Sequence, residues 1–334
     1  MLATPNRLQW GGGPGHYEVY YLTFTERSTS IGVWIRYTLL APHQGEPEAA
    51  LWFLAMDPGA DGRGVFGRKV AFPISELEHR ADPFSLRIGQ ATLSEGRMQG
   101  GLDDASWDLR WEPGRAYQHV HPLLERMRLA QTTLVLPHGD VGVEGTVSYA
   151  GRTVEVVGAR GGQAHLWGSK HAACWAWVHA GDWQTLDGEP VPDTFVDGVS
   201  VIVSRFGRDV GPNTPVVARI DGSDFHSTSP PRLLANQSTF ALTGWRFEAL
   251  GGSRKLIGEV DADRDQLAGV TYHDPDGELA YCYNSETASM RLHVYERAKR
   301  VGGWEHKTSL SAPGRAHFEY AQRTPIEGIP LLTK

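Results

Sequence analysis

Glycine and proline are spread along the whole of this chain, 39 and 20 of them in 334 residues, and that spacing constrains the fold more than any other feature. They cut the sequence into short apolar segments separated by turn-forming stretches: Asp57-Pro58-Gly59, Asp61-Gly62, Asp187-Gly188, Asp197-Gly198, Asp221-Gly222 and Asp276-Gly277. Segments of this length suit strands and leave no room for the longer periodic stripe of a helix. Alternation agrees: Ile31, Val33, Ile35, Tyr37 and Leu39 fall on one side of a strand, and Val141, Val143, Gly145, Val147 and Tyr149 fall on one side of another, opposite Glu144, Thr146 and Ser148. The same rules give about fifteen strands in antiparallel meanders. Only Pro122–Ala130 offers a helical spacing, with Leu123, Leu124 and Met127 following a proline suited to a first helical position. The expectation is therefore an all-β chain of two closed or nearly closed antiparallel barrels with little helix. Gly158–Gly162 interrupts the pattern and places the boundary, giving units at 1–160 and 161–334.

Charge and cysteine content narrow the function. With 32 basic against 39 acidic residues and a formal charge of −7, and no run of Lys or Arg to offset it, nucleic acid and anionic membrane surfaces are excluded as electrostatic partners. Cys174 and Cys282 are too few for a disulfide framework or a cysteine-rich metal module, which fits a reducing compartment. Met1–Trp10 has neither the basic region nor the apolar stretch of a signal peptide, and the longest apolar run, Ala49–Met56, is too short to cross a bilayer. A soluble cytoplasmic protein is expected, one that a hydrophobic substrate can bring transiently to a membrane surface.

The segment Gly151–Trp183 concentrates chemistry: His165, Trp167, Lys170, His171, Trp175, Trp177 and His179 lie within it. In a strand, Trp175, Trp177 and His179 share one face while Ala176 and Val178 occupy the other, and His165 pairs with Trp167 in the same way. Indoles attract a developing carbocation and imidazoles transfer protons near neutral pH, so a cavity lined by both suits protonation of an alkene. Lys170, beside His171, would depress that imidazole's pKa or orient a substrate carbonyl. Tyr281 and Tyr283, alternating with Cys282, would line a second cavity. The plainer alternatives are core packing for the indoles and tyrosines, a backbone-satisfied buried ring for His165, exposed strand ends for His171 and His179, and a solvated charge for Lys170. His119-Val120-His121 has the spacing of a zinc pair, with Glu144 or His138 as a third ligand, but neither a His-Glu-x-x-His helix nor paired cysteines accompany it and no metal is expected. The Gly11–Gly15 run lacks the Lys-Ser/Thr of a phosphate loop, and no Gly-x-Ser-x-Gly elbow occurs.

The motif Gly-x-x-x-His165-x-Trp167-Gly168, followed by Trp175-x-Trp177-x-His179, resembles the signature of the carotenoid 1,2-hydratase (hydroxyneurosporene synthase) and tocopherol-cyclase-like superfamily. Tyr17-Glu18-Val19-Tyr20-Tyr21, Glu95–Gly100 leading to Trp107–Trp111, and His317-Phe318-Glu319-Tyr320 extend the resemblance over most of the chain. It implies two consecutive lipocalin-like β-barrels and a set of chemistries without metal or cofactor: hydration of an isoprenoid double bond, chromanol ring closure, or the intramolecular cycloadditions of related pericyclases. Ala164 stands where the hydratase pattern has an acidic residue, so no carboxylate donor carries over there. The combined reading is a cofactor-independent hydratase or cyclase for an apolar isoprenoid, polyene or polyketide-like molecule. His165 or His171 would move the proton beside Lys170, and Trp167, Trp175, Trp177, His179, Tyr281 and Tyr283 would bind substrate. A non-catalytic carrier of a hydrophobic ligand needs the same barrel and no proton donor. A structural protein with a collapsed cavity is a third reading.

Overall fold

The computed structural model describes residues 5–121, 131–205, 207–297 and 302–333. The first sheet is built from β1 (His16–Thr25), β2 (Gly32–Ala41), β3 (Glu48–Met56), β4 (Val65–Pro73), β5 (Leu77–Ala81), β6 (Phe84–Ile88), β7 (Ala91–Ser94), β8 (Arg97–Leu102), β9 (Ala105–Trp111), β10 (Tyr117–Gln118), β11 (Thr132–Tyr149) and β12 (Arg152–Gly168). Its order is β4-β3-β2-β1-β12-β11-β9-β8-β7-β6-β5, so the first strand pairs with the last and the two edge strands are consecutive in the chain. The second sheet holds β13 (Cys174–Ala180), β14 (Trp183–Thr185), β15 (Pro190–Val191), β16 (Phe195–Arg205), β17 (Arg208–Asn213), β18 (Val216–Ile220), β19 (Ser223–Ser227), β20 (Gln237–Ala241), β21 (Gly244–Gly251), β22 (Arg254–Asp261), β23 (Ala268–His273), β24 (Leu279–Glu296), β25 (Glu305–Gln322) and β26 (Leu331–Thr333). Its path, β19-β18-β16-β13-β25-β24-β22-β21-β20, repeats the plan: the opening strand β13 lies against the late strand β25, and the edge strands β19 and β20 are neighbours in sequence. The chain is thus an all-β double barrel, as its patterning predicts.

Alternation explains why each sheet curls around its own core. Tyr20, Leu22 and Phe24 of β1, Val33, Ile35 and Tyr37 of β2, and Leu51 and Phe53 of β3 point inward in the first barrel with Trp107, Val141 and Val147. Ala176 and Val178 of β13, Trp245, Phe247, Leu292 and Phe318 fill the second. More strands form than the apolar pattern reveals, because short strands such as Leu77–Ala81 are largely exposed and carry no apolar alternation. Among the described residues the one α-helix is α1 (Pro230–Ala235), which joins β19 to β20. The expected helix at Pro122–Ala130 lies outside the described residues.

The change of sheet falls between Gly168 and Cys174, not at 160/161. Gly161 and Gly162 stay in β12, paired with Phe24 and Thr23 of β1. A Cβ on Gly161 would sit 2.1 Å from the Thr23 carbonyl oxygen, and one on Gly162 would sit 2.6 Å from the His179 ring. These glycines mark close approach of backbone and packed ring, which in a sequence looks the same as a linker. Among the described residues no helix is long and apolar enough to cross a membrane.

Candidate functional site

The faces of β1, β2 and β3 that point away from the first core meet the outward face of the second sheet. Tyr17, Val19, Tyr21, Trp34, Trp52, Trp175, Trp177, Tyr272 and Cys282 form a third buried cluster there, distinct from both barrel cores. The aromatic side chains do not fill the space. They surround a cavity of about 470 Å³, within the size range of small-molecule sites, lined by Tyr17, Tyr21, Leu134, Leu166, Trp52, Trp175, Trp177, Val199, Val201 and Tyr272.

His171 lies on this wall, in the connection from β12 to β13. Its ring stacks on Tyr17 (centroids 4.2 Å apart, 16° between planes), Trp175 (5.5 Å, 17°) and Tyr272 (5.4 Å, 19°). Asp274, in the turn between β23 and β24, accepts from His171 Nδ1 at 2.6 Å and from the His171 backbone N–H at 2.8 Å. Arg323 donates to the other Asp274 oxygen at 2.6 Å. Burial opposes ionisation of Asp274, but the hydrogen bonds from His171 and Arg323 outweigh it and hold the carboxyl below its usual range. With Nδ1 committed to a carboxylate, the chemistry His171 offers the cavity is that of Nε2. The arrangement is an oriented imidazole in an aromatic enclosure, suited to giving or taking a proton beside an apolar ligand.

A second polar group faces the cavity from β2. Arg36 is buried with its guanidinium 3.8 Å from the Trp34 ring centroid, donating to the Tyr272 hydroxyl and to Glu319. Burial disfavours its charge, yet Tyr272 and Glu319 more than compensate and its pKa is raised. Burial also pushes Tyr17, Tyr21 and Tyr272 up, so their hydroxyls remain donors. His119, also on the wall, bonds through Nε2 to Asp197 at 2.7 Å, and Asp197 in turn binds His179 Nδ1 at 3.1 Å and Trp177 Nε1 at 3.2 Å.

The structure brings together some of the residues singled out in the sequence and separates others. Lys170, His171, Trp175 and Trp177 line the cavity; the Lys170 ammonium is engaged by Asp276 at 2.7 Å and Glu278 at 3.0 Å. Trp175, Trp177 and His179 share one face of β13, but His179 lies past the cavity against Asp197. His165 and Trp167 point to the opposite side of β12. His165 is fully buried at the end of the first barrel, stacked on Tyr20 at 4.0 Å, with Nδ1 on the Pro5 carbonyl at 2.7 Å and Nε2 on Glu18 at 2.8 Å. Both nitrogens face acceptors, so neither is left for a ligand. Trp167 packs on His165 at 4.7 Å. The carboxylate that His165 meets, Glu18, comes from the neighbouring strand β1, while Ala164, next to His165 in the chain, faces the intersheet cluster. Tyr283 is buried in the second barrel core and Tyr281 packs against it; their neighbour Cys282 is the one that faces the intersheet cluster. Glu319 stood in the His317-Phe318-Glu319-Tyr320 stretch without an assigned role; Arg36, Trp52, Tyr272 and Asp274 carried no motif. Their only sequence signal was strand parity, which places Arg36 with Trp34 and Trp52 with Ala50 on outward faces.

No family model matches the chain. An uncharacterised protein of Mycobacterium tuberculosis, found in two strains, is 29% identical over 306 residues, covering 89% of this chain and 87% of the relative. Among solved structures, a putative AttH from Nitrosomonas europaea superposes with a TM-score of 0.54 at 11% identity, covering 93% of each chain. Kievitone hydratase from Nectria haematococca gives 0.55 at 8% identity, covering 96% of this chain and 91% of its own. CghA gives 0.56 at 10% identity, covering 97% and 96%, and has also been solved with Sch210972. These likenesses show the fold: a lipocalin-like double barrel shared across nearly the full length.

Proposed function

We propose that the protein is a cofactor-independent hydratase or cyclase that holds an apolar, alkene-bearing small molecule between its barrels and moves a proton through His171. The observation that carries this reading is the Asp274–His171 pair on the wall of an aromatic cavity. Asp274 fixes the ring's orientation, while Tyr17, Trp175 and Tyr272 keep water from the imidazole. Trp175 and Trp177 shape the cavity and favour positive charge developing on the ligand. Arg36 and Tyr272 offer donors for a substrate oxygen. The fold shared with a protein described as a hydratase, and with CghA bound to Sch210972, supports a small-molecule role for the same architecture. The resemblance to carotenoid hydratases and tocopherol cyclases extends it to isoprenoid or polyene substrates.

The test begins with mass spectrometry of the ligand that copurifies with the recombinant protein, followed by turnover of that ligand or its precursor. His171→Gln should lower kcat about 10²- to 10⁴-fold while affinity stays within a few fold, and Asp274→Asn should fall between it and wild type. A wild-type protein that binds the ligand and converts neither it nor its precursor is a carrier, and the catalytic reading fails.

A further inference from the structure

The cavity wall carries a cation that has no ion pair among the described residues. Of the four described lysines, Lys170, Lys255 and Lys307 each sit beside a carboxylate. Lys69, on β4, lines the cavity and makes no ion pair among the described residues; its ammonium lies 4.4 Å from the centroid of the Trp52 ring. Register explains the placement. Tyr21 of β1 pairs with Arg36 of β2, Arg36 with Trp52 of β3, and Trp52 with Lys69 of β4, so the four form a row across adjacent strands on the face that meets the second sheet. The row runs from the enclosed Arg36 to the half-buried Lys69, with the Trp52 indole between two cations. The Arg36 Nε–H is also buried without an acceptor among the described residues. On the cavity wall Arg36 is paired with Glu319 and Lys170 with Asp276 and Glu278, which leaves Lys69, with Glu48 also on the wall, as the cation without an ion pair among the described residues.

A half-buried ammonium without a paired carboxylate is costly, even over an indole face. Burial lowers the Lys69 pKa and Glu48 only partly offsets this. A ligand anion would reverse that cost, because a charge-assisted hydrogen bond in a partly desolvated site is stronger than one in water. We propose that the cavity selects an amphipathic anion: an apolar body against the Trp and Tyr walls, with a carboxylate or similarly acidic oxygen bound by Lys69 and drawn inward by Arg36. This rests on the reading of the intersheet cavity as the ligand site and adds the chemical class of the ligand.

The probes are cis-parinaric acid, a fluorescent polyene carboxylate, and its uncharged methyl ester, titrated into the full-length protein at neutral pH. The acid should bind wild type about tenfold or more tighter than the ester, and added salt should weaken the acid alone. Lys69→Met, which keeps an apolar stem over Trp52, should remove most of that advantage while leaving ester affinity within about twofold, and Lys69→Arg should restore it. Equal wild-type affinities for acid and ester, or a Lys69→Met variant that keeps the acid's advantage or loses both probes alike, would overturn the inference and leave the cavity reading intact. Neither probe entering the wild-type protein would overturn both.

Discussion

Arg36 and Glu319 form an ion pair between the two barrels, both under a tenth exposed, and that geometry makes a quantitative prediction. Arg36→Met leaves the Glu319 carboxylate buried without its cation, and Glu319→Gln leaves the guanidinium without its anion. Each should cost about 3–5 kcal/mol, the range for orphaning one member of a buried pair. Removing both charges is different. In Arg36→Met/Glu319→Gln no charge is stranded, the methionine stem still packs on Trp34, and Tyr272 keeps its hydroxyl facing Cys282. The double variant should therefore lose no more than about 2 kcal/mol, so the two single effects overshoot it by several kcal/mol. Urea unfolding followed by tryptophan fluorescence and by far-UV circular dichroism measures this, with coincidence of the two transitions licensing the free energies. Additivity within about 0.5 kcal/mol would refute the reasoning, because it would mean that neither charge feels the other.

Glu18 gives a pH signature. Burial works against its carboxylate, but hydrogen bonds from His16, His165 and the Gln9 N–H prevail and hold its pKa at about 2, below the ordinary 4.5. A depressed folded-state value contributes stability that is present above the unfolded value and lost as pH falls toward the folded one. About 2 kcal/mol of the loss in unfolding free energy between about pH 6 and about pH 3 should thus be absent in Glu18→Gln. The β12 glycines supply a packing test. Gly162→Ala drives a methyl group into the His179 ring and should cost about 1–3 kcal/mol by urea denaturation. Gly142→Ala, on the neighbouring strand β11 with nothing within 4 Å of its added Cβ, should stay within about 0.5 kcal/mol of wild type.

Strand periodicity made much of this architecture legible. The alternation through Tyr17–Thr25 divides Tyr20, Leu22 and Phe24, which fill the first barrel, from Tyr17, Val19 and Tyr21, which face the second. The Trp175-x-Trp177 face was visible for the same reason, whereas His171, in the connection from β12 to β13, stood out only by its place in the His- and Trp-rich segment. His165 was not assignable, because the motif fixes its partner Trp167 but not which side of β12 is inside, and a shift of one residue exchanges the faces. Ala164 and Leu166 face the intersheet space and His165 faces the first barrel's polar end. Asp274 lies 103 residues from His171 and reads as an ordinary Asp-Pro-Asp-Gly turn; only the tertiary fold makes it the partner of the imidazole. Arg36 and Lys69 occupy outward-facing positions of β2 and β4 and carried no motif. They acquire a role because the outer face of one barrel is covered by the other, a fact no local pattern encodes.

The account stands or falls on a proton passing between His171 and a carbon of the ligand. Turnover in deuterium oxide, with the product read by mass spectrometry and nuclear magnetic resonance, tests this directly. Wild-type protein should place solvent deuterium at one carbon of the product, and His171→Gln should form that labelled product at least about 100-fold more slowly while binding substrate with near-normal affinity. A product formed at the wild-type rate by His171→Gln, or one carrying no deuterium on carbon, would contradict the account.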